Sequence, residues 1–272
     1  MLDKIIYVVG SPRSGSLVIY NSICSHSFFN PGIPENHLVP NLAKYCFHQI
    51  SRNEQIEKNY LFDSEEDIKK YFKDCIDKFF LKISKKYNVS HLVLKSVAAA
   101  PNINLMSMIC PSIHYIMTIR DPRDIIASMI NIGKKQEELK LVNQYPRKMK
   151  KLCDFINFSY RLFFEKNQKE FLDKNVLIIK YEDFVERPIF ILNDFAKKLS
   201  IDIRYKKSLE FWKRSSDIYT NKITGEKLPY KSSLWNKPIS KERINVYKNI
   251  LSQTEINEIN QYCKKIISYF DY

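Results

Sequence analysis

The chain has 272 residues, of which 44% are hydrophobic and 27% charged, with 44 Lys and Arg against 30 Asp and Glu. These proportions fit a globular protein with enough chain for a buried core, and they exclude a disordered or low-complexity chain. The net charge of +14 favours an anionic partner, such as nucleic acid, acidic lipid, polyanionic sugar or nucleotide phosphates. No basic stretch interleaved with aromatic residues and no nucleic-acid module is present, so nucleic acid is not the expected partner.

The six cysteines are widely spread, and none forms a C-x-x-C pair or a Cys/His cluster with metal-ligand spacing. We therefore expect reduced thiols and no structural zinc. The longest apolar runs are too short to span a membrane, and Asp3 and Lys4 precede only five apolar residues, unlike a signal peptide. These features predict a cytoplasmic chain without a transmembrane segment. They leave peripheral membrane contact open and do not indicate an oligomeric state.

The first predicted strand covers residues 4–9, and its continuous apolar run predicts burial on both faces. A helix is expected from about Ser14 to His26. Two prolines and a glycine predict a loop over residues 27–37.

The middle of the chain alternates helices and strands. A long helix is predicted over residues 64–87, where Ser64 and Asp67 form a start like a capping box and apolar residues follow at helical spacing. Strands are predicted over residues 91–95 and 113–119, with a short helix around 102–109 between them. Another helix is expected from Pro122 onward, capped by Asp121.

The last part of the chain begins with a polar stretch over residues 133–151, which predicts a surface loop or lid. The predicted elements that follow are a helix over 152–172, a strand over 176–180, a helix over 188–199, a long loop over 213–238, and two closing helices over 240–250 and 253–269. This order predicts an α/β fold with a P-loop-like parallel sheet of about four to five strands flanked by helices. We expect a single domain, 1–272, with the sheet core within about 1–200 and the late loop and closing helices within about 201–272.

Four predicted strand ends carry polar chemistry, and ligands bind at the carboxyl ends of strands in such sheets. The four stretches are 11–16, 95–96, 120–124 and 181–183. Because these ends meet at one edge of a parallel sheet, the sequence predicts a single site there.

Residues 10–16, which we call the phosphate loop, have the sequence GSPRSGS and join the first strand to the first helix. Two glycines allow a tight turn that brings backbone N–H groups close to a ligand, and the helix start adds further unpaired N–H donors. Arg13 adds a permanent positive charge, while Ser14 and Ser16 add hydroxyl donors. The loop is therefore a candidate phosphate-binding site.

Three segments resemble motifs of the sulfotransferases that use 3′-phosphoadenosine 5′-phosphosulfate (PAPS). The phosphate loop resembles their 5′-phosphosulfate loop, and residues 119–128, IRDPRDIIAS, resemble their 3′-phosphate motif. A third family segment resembles residues 179–184 followed by Pro188, and the region from Trp235 to Tyr272 resembles the family's C-terminal helices. The likeness spans nearly the whole chain in the right order.

The resemblance implies PAPS as sulfuryl donor, 3′-phosphoadenosine 5′-phosphate (PAP) as product, and no metal. By that resemblance Arg13 contacts the 5′-phosphate and the transferring group, Arg120 and Ser128 hold the 3′-phosphate, and Tyr181 packs near the adenine. The remaining implied cofactor contacts come from the phosphate loop and from a late loop that closes over the 3′-phosphate: Ser11, Pro12, Ser14, Gly15, Ser16, Leu17, Lys231, Ser232 and Ser233.

The catalytic base follows from a departure from the family pattern. In cytosolic animal-type members a catalytic histidine comes two residues after the strand-ending lysine, but here Lys95 is followed by Ser96 and Val97. The resemblance therefore favours the Golgi-type and bacterial branches, in which a glutamate after the first helix is the base. Glu35 occupies that place, with His37 as the rival base and Lys95 beside Arg13 as the cationic clamp.

Two other function classes compete with this hypothesis. The phosphate loop has the G-x-x-x-x-G spacing of an ATP-dependent P-loop kinase, but Ser16 stands where a P-loop has Lys, and no strand end offers an obvious carboxylate for Mg²⁺. A non-catalytic nucleotide or polyanion binder is the other, because Leu17 replaces a second loop hydroxyl. The expected acceptor is a hydroxyl of a carbohydrate, lipid or small molecule, and the positive charge favours an anionic one.

Overall fold

The computed structural model describes residues 2–51, 61–201, 205–213, 234 and 237–272. A four-stranded parallel sheet with the order β2-β1-β3-β4 forms its centre. The strands are β1 (Lys4–Gly10), β2 (His91–Lys95), β3 (Ile113–Ile119) and β4 (Val176–Lys180). All three pairings are parallel, so the predicted α/β class and single domain are confirmed.

The central strand β1 is apolar along its length because helices cover both faces of the sheet. Its side chains alternate between two cores. Tyr7 and Val9 belong to the core on one face, and Ile6 and Val8 to the core on the other. All four are fully buried, which explains why the sequence shows a continuous apolar run rather than an alternating one.

Helices lie between these strands and after β4. They are α1 (Ser16–Cys24), α2 (Leu38–Ser51), α3 (Glu65–Tyr87), α4 (Ile103–Ile109), α5 (Pro122–Glu138), α6 (Met149–Ser159), α7 (Lys169–Asn175), α8 (Tyr181–Glu186), α9 (Pro188–Leu199), α10 (Tyr205–Leu209), α11 (Gln253–Tyr262) and α12 (Lys264–Tyr269). Within the described ranges, none of the helices combines the length and apolar character needed to cross a bilayer.

The predicted helix over residues 64–87 is confirmed as α3. The hydroxyl of Ser64 accepts a hydrogen bond from the Asp67 N–H at 3.1 Å, and the Asp67 carboxylate accepts one from the Asp63 N–H at 3.2 Å. The buried face repeats every three or four residues, which is the spacing of one helix face. Its members are Ile68, Phe72, Ile76, Phe80 and Ile83.

The polar stretch 133–151 is predicted as a loop or lid. In the structure both of its ends are helical, and the connection between them packs on a helix. Helix α5 continues to Glu138, and α6 begins at Met149. Between them, the buried Gln136 side chain accepts a hydrogen bond from the Gln144 N–H at 2.9 Å. A Cβ on Gly133 would lie 2.5 Å from Asn143 Oδ1, so the connection packs directly on the helix. The loop prediction is therefore wrong for residues 133–138 and 149–151, which are helical, whereas residues 139–148 form a surface connection packed on α5.

Three other element predictions also differ from the structure. Residues 152–172 form no single helix, because α6 ends at Ser159, a 3₁₀ turn follows, and α7 begins at Lys169. Residues 240–250 contain only the 3₁₀ turn Val246–Asn249. The sequence analysis assigns no element to α2, whose buried face contains Pro40.

Glu255 stabilises the start of α11, and we expect Glu255→Gln to lower the free energy of unfolding by about 1 kcal/mol at neutral pH. Its carboxylate accepts hydrogen bonds from Arg147 Nε at 2.7 Å, Arg147 Nη2 at 2.8 Å and the Ser252 N–H at 2.8 Å. The Arg147 bond is the largest cause that lowers the Glu255 pKa to about 2.

The sign of the pH dependence follows from that pKa. Because the pKa in the folded state lies below the unfolded value of about 4.3, the stabilisation is present above about pH 5 and is lost as the pH falls toward 2. Urea denaturation of both proteins between pH 7 and pH 3 measures the difference. A difference that stays constant over this range, or is zero at pH 7, would contradict the assignment.

Candidate active site

A cleft of about 970 Å³ lies across the carboxyl ends of the four strands. Neighbouring strands lie about 4.8 Å apart, so the cleft extends over roughly 14 Å from β2 to β4. Eleven of the sixteen residues predicted for the site line it: Pro12, Arg13, Gly15, Ser16, Leu17, Glu35, His37, Lys95, Arg120, Ser128 and Tyr181. The sheet thus brings together residues from four separate parts of the sequence.

The phosphate loop turns between β1 and α1 through three residues with positive φ, the first of which is Gly10 with φ 146°. Arg13 has φ 69°, which is uncommon for a residue other than glycine, and Gly15 has φ 91°. Gly15 is the N-cap residue of α1, so the first N–H groups of the helix face the cleft beside the loop. Backbone strain at Arg13 is a feature found at binding and catalytic loops.

Gly15→Ala is expected to destabilise the fold by about 1–3 kcal/mol and to disrupt phosphate binding. A Cβ at this position would lie 2.3 Å from Tyr181 Cδ2, and the left-handed conformation adds strain. Gly32→Ala is the matched control, since its Cβ would meet only ordinary contacts at 3.5 Å or more. Thermal melts and nucleotide titration of both variants check this. Equal effects of the two substitutions would contradict the steric explanation.

Two predicted phosphate ligands of the loop, Ser11 and Ser14, are fully buried and lie outside the cleft lining. The Ser14 hydroxyl is hydrogen-bonded to Thr118 Oγ1 at 2.6 Å. The Ser11 N–H donates to Tyr160 Oη at 3.2 Å, and the Tyr160 hydroxyl donates to the Thr118 carbonyl at 2.9 Å. Ser14 therefore fixes the loop on β3 directly, and Ser11 does so through Tyr160, which follows α6 and which sequence reasoning missed.

Arg13 is held at both its side chain and its backbone. Its Nε donates a hydrogen bond to Ser128 Oγ at 3.1 Å, and its carbonyl accepts one from Arg120 Nη1 at 3.1 Å. Burial lowers the pKa of Arg13, and the nearby guanidinium groups of Arg120 and Arg243 lower it further. Ser128, predicted for the 3′-phosphate, thus contacts Arg13 in this structure.

Arg120 follows the end of β3 and stacks on Tyr181, which follows β4. Its guanidinium carbon lies 4.6 Å from the centre of the Tyr181 ring. The side chain is 6% exposed, and its Nε is buried with no hydrogen-bond partner. An unpaired buried donor of a charged group costs about 1–3 kcal/mol or more, so this atom is suited to an anionic ligand.

Glu35 and Lys95 form an ion pair at the β2 end of the cleft. The ammonium group of Lys95 donates to Glu35 Oε1, and the Val97 N–H donates to Glu35 Oε2 at 3.3 Å. Burial lowers the pKa of Lys95, an effect that Glu35 opposes. The Lys95 side chain is 6% exposed and that of Glu35 is 31% exposed, so the carboxylate faces the cleft from a fixed position. His37 lies exposed on the same side.

Two asparagines that sequence reasoning missed place the Glu35 loop along the free edge of β2. The Asn30 side chain donates to the Val93 carbonyl at 2.9 Å and accepts from the Val93 N–H at 2.7 Å, as a neighbouring strand would. The Asn36 N–H donates to the Lys95 carbonyl at 3.0 Å, and its side chain accepts from the Tyr7 hydroxyl at 2.9 Å. No local sequence pattern indicates these contacts.

The cleft is strongly cationic. Among the described residues, its lining contains two carboxylates, Glu35 and Glu138, and seven basic residues: Arg13, Lys95, Arg120, Lys134, Lys135, Lys237 and Arg243. Such a surface attracts polyanions. The remaining predicted ligands, Lys231, Ser232 and Ser233, lie outside the described residues.

Residues 6–204 match the model of the sulfotransferase family, which is well over half of the 272-residue chain. The chain therefore belongs to the sulfotransferase family and is a transferase, as the strand-end motifs predict. No curated protein matches the chain at a significant level.

Solved structures share the fold. The sulfotransferase domain from the curacin biosynthetic pathway is 18% identical with a TM-score of 0.62, covering 97% of this chain and 98% of that one. The sulfotransferase domain of the Synechococcus PCC 7002 olefin synthase is 16% identical with a TM-score of 0.58, covering 96% and 95%. Mouse sulfotransferase SULT7A1 in complex with PAP is 13% identical with a TM-score of 0.54, covering 96% and 84%.

Proposed function

We propose that the protein transfers a sulfuryl group from PAPS to a hydroxyl of a carbohydrate, lipid or small-molecule acceptor. The observation that carries the proposal is the meeting of Arg13, Glu35, Lys95 and Arg120 in one cationic cleft. These side chains supply a carboxylate for the hydroxyl proton and cations for the sulfuryl and phosphate oxygens.

The donor fits the cleft on three counts. The phosphate loop and the start of α1 offer N–H donors and Arg13 for the 5′-phosphosulfate. Arg120, with its unpartnered buried Nε, is placed for a second anionic group, the 3′-phosphate. Tyr181 and Val185 give an apolar wall at the β4 end, where adenine would pack. The mouse structure of similar fold holds PAP, which supports the choice of nucleotide.

Each catalytic group has one role in the reaction. The acceptor oxygen forms a bond to sulfur while the bond from sulfur to the 5′-phosphate oxygen breaks, and PAP leaves. Glu35 accepts the hydroxyl proton, with His37 as the rival base in the same cleft. Arg13 and Lys95 stabilise the negative charge that develops on the leaving oxygen and the sulfuryl oxygens.

Calorimetric titration tests the donor. Tight binding of PAP without Mg²⁺ supports the proposal, and tight binding of ATP only with Mg²⁺ would replace it by the kinase alternative. Incubation with ³⁵S-labelled PAPS and a cell lysate then tests transfer, since labelled product must form. Tight PAP binding with no labelled product from any lysate fraction would favour the non-catalytic nucleotide binder.

A further inference from the structure

The segment 243–247 is fastened to the first turn of α5 by one buried carboxylate. Asp124 Oδ2 accepts a hydrogen bond from the Asn245 N–H at 2.8 Å, and Asp124 Oδ1 accepts one from the Tyr247 N–H at 3.0 Å. Asn245 has φ 61°. This left-handed conformation allows its own N–H and that of Tyr247 to converge on one anion.

Arg120, just before α5, and Arg123, in its first turn, hold the segment as well. Arg120 Nη2 donates to the carbonyl of Arg243, and the guanidinium carbon of Arg123 lies 4.9 Å from the centre of the Tyr247 ring. Three side chains of one motif thus contact a segment more than 100 residues away in the sequence. The contacts fix the backbone of this segment, which has no regular helix of its own before the 3₁₀ turn.

A buried carboxylate is costly unless its hydrogen-bonding and charge partners are all supplied. Asp124 is 1% exposed, and burial raises its pKa, an effect opposed by Arg120 and by the two N–H groups. Arg120 Nη2 lies 3.9 Å from Asp124 Oδ2. The partners of this carboxylate are therefore the segment 243–247 and Arg120. The buried carboxylate holds that segment in position.

The segment brings a third arginine into the cleft. Arg243 lines the cleft, and its carbonyl is bonded to Arg120, which lines the same cleft. Its positive charge, like that of Arg120, lowers the Arg13 pKa. Positive charges that share one cleft repel one another, and an anionic ligand bound among them would relieve that repulsion. A fixed backbone is therefore needed to keep Arg243 in place, and Asp124 supplies the anchor.

We propose that Asp124 is a positioning residue for donor binding, which docks the segment 243–247 so that Arg243 joins Arg120 at the 3′-phosphate. The inference rests on the proposed function, because it names a contact to the PAPS and PAP nucleotide. It gives a role to Asp124 and Arg243, neither of which the sequence motifs assign.

The test compares PAP with adenosine 5′-monophosphate (AMP), which lacks the 3′-phosphate, by calorimetry. Asp124→Asn is expected to weaken PAP binding about 10-fold or more, while AMP binding changes less than about twofold. Arg243→Met should have the same effect, and the double variant should bind PAP no more weakly than Asp124→Asn alone. Equal weakening of PAP and AMP, unchanged PAP binding, or additive effects in the double variant would overturn the proposal.

A second pair of variants keeps the test decisive if Asp124→Asn does not fold. Asn245 is exposed, so substitutions there leave the core intact. Asn245→Gly keeps the left-handed backbone and should retain the preference for PAP over AMP, while Asn245→Val disfavours that backbone and should lose it. Identical PAP binding by the two variants would overturn the proposal. A wild-type protein without any preference for PAP over AMP would instead refute the proposed function.

Discussion

Glu35→Gln is expected to lower kcat for sulfuryl transfer by about 10²–10⁴-fold, the usual contribution of a general base, while PAP binding is retained. Glutamine keeps the size of the side chain and can still accept a hydrogen bond from the Val97 N–H, but it cannot take a proton. Steady-state kinetics with labelled PAPS and calorimetry with PAP measure the two quantities. Turnover within a few fold of the wild-type value would remove Glu35 as the base.

The substitution also leaves Lys95 without its charge partner, so the loss of turnover must be separated from a loss of stability. Removing one member of a buried pair is destabilising, although the partial exposure of Glu35 reduces this effect. Thermal melts measure it directly. Glu138→Gln is the matched control, because Glu138 is the other carboxylate in the described lining of the cleft. If His37 is the base instead, His37→Asn and not Glu35→Gln should abolish turnover.

Arg13→Ala is expected to lower kcat by about 10²–10³-fold, the usual effect of removing one group that stabilises developing negative charge. Arg13 Nε donates a hydrogen bond to Ser128 Oγ, and this bond fixes the orientation of the planar guanidinium group and of its two terminal nitrogens. Arg13→Lys keeps the charge but lacks the planar fork, and we expect it to recover only part of the rate. Single-turnover kinetics with labelled PAPS separate this loss from product release.

A general loss of positive charge could also reduce binding to an anionic donor. Arg161→Ala removes one charge from a surface pocket between the end of α6 and the helices α11 and α12, outside the cleft, and should leave the rate unchanged. If both substitutions reduce the rate equally, Arg13 acts only through net charge. If Arg13→Ala raises the KM for PAPS with kcat unchanged, Arg13 stabilises the bound donor and the transition state equally.

The fold was predictable because its signals are local. Strand β1 shows a continuous apolar run, α3 begins at a capping residue, and the phosphate loop contains glycine where the chain adopts φ 91°. The sequence predicts a loop from residue 133, although α5 continues to Glu138, because the last turns of this helix are polar on the exposed side. The buried face there includes Gly133 and Gln136, which an apolar-spacing rule does not recognise as core.

Reasoning from the sheet predicts the site residues that stand at strand ends, whereas Glu35, His37 and Ser128, which also line the cleft, come from the family resemblance. Arg13 and Arg120 are predicted from the sheet, because the carboxyl ends of parallel strands share one edge. Asn30 contacts a residue 63 positions away, and Asp124 contacts Asn245 at a separation of 121. Neither contact is indicated by residue spacing or composition, so neither could be predicted from the sequence alone.

The sequence by itself determined the parallel α/β fold, the phosphate loop and the family, because each depends on runs of neighbouring residues. The tertiary structure decided which side chains act together. It pairs Glu35 with Lys95 across 60 residues, and it turns the Ser11 and Ser14 side chains away from the cleft lining. It also places Arg243 in the same cleft as Arg13 and bonds its carbonyl to Arg120. These arrangements depend on strand order, on the edge of β2 and on a buried carboxylate, and they exist only once the sheet has formed.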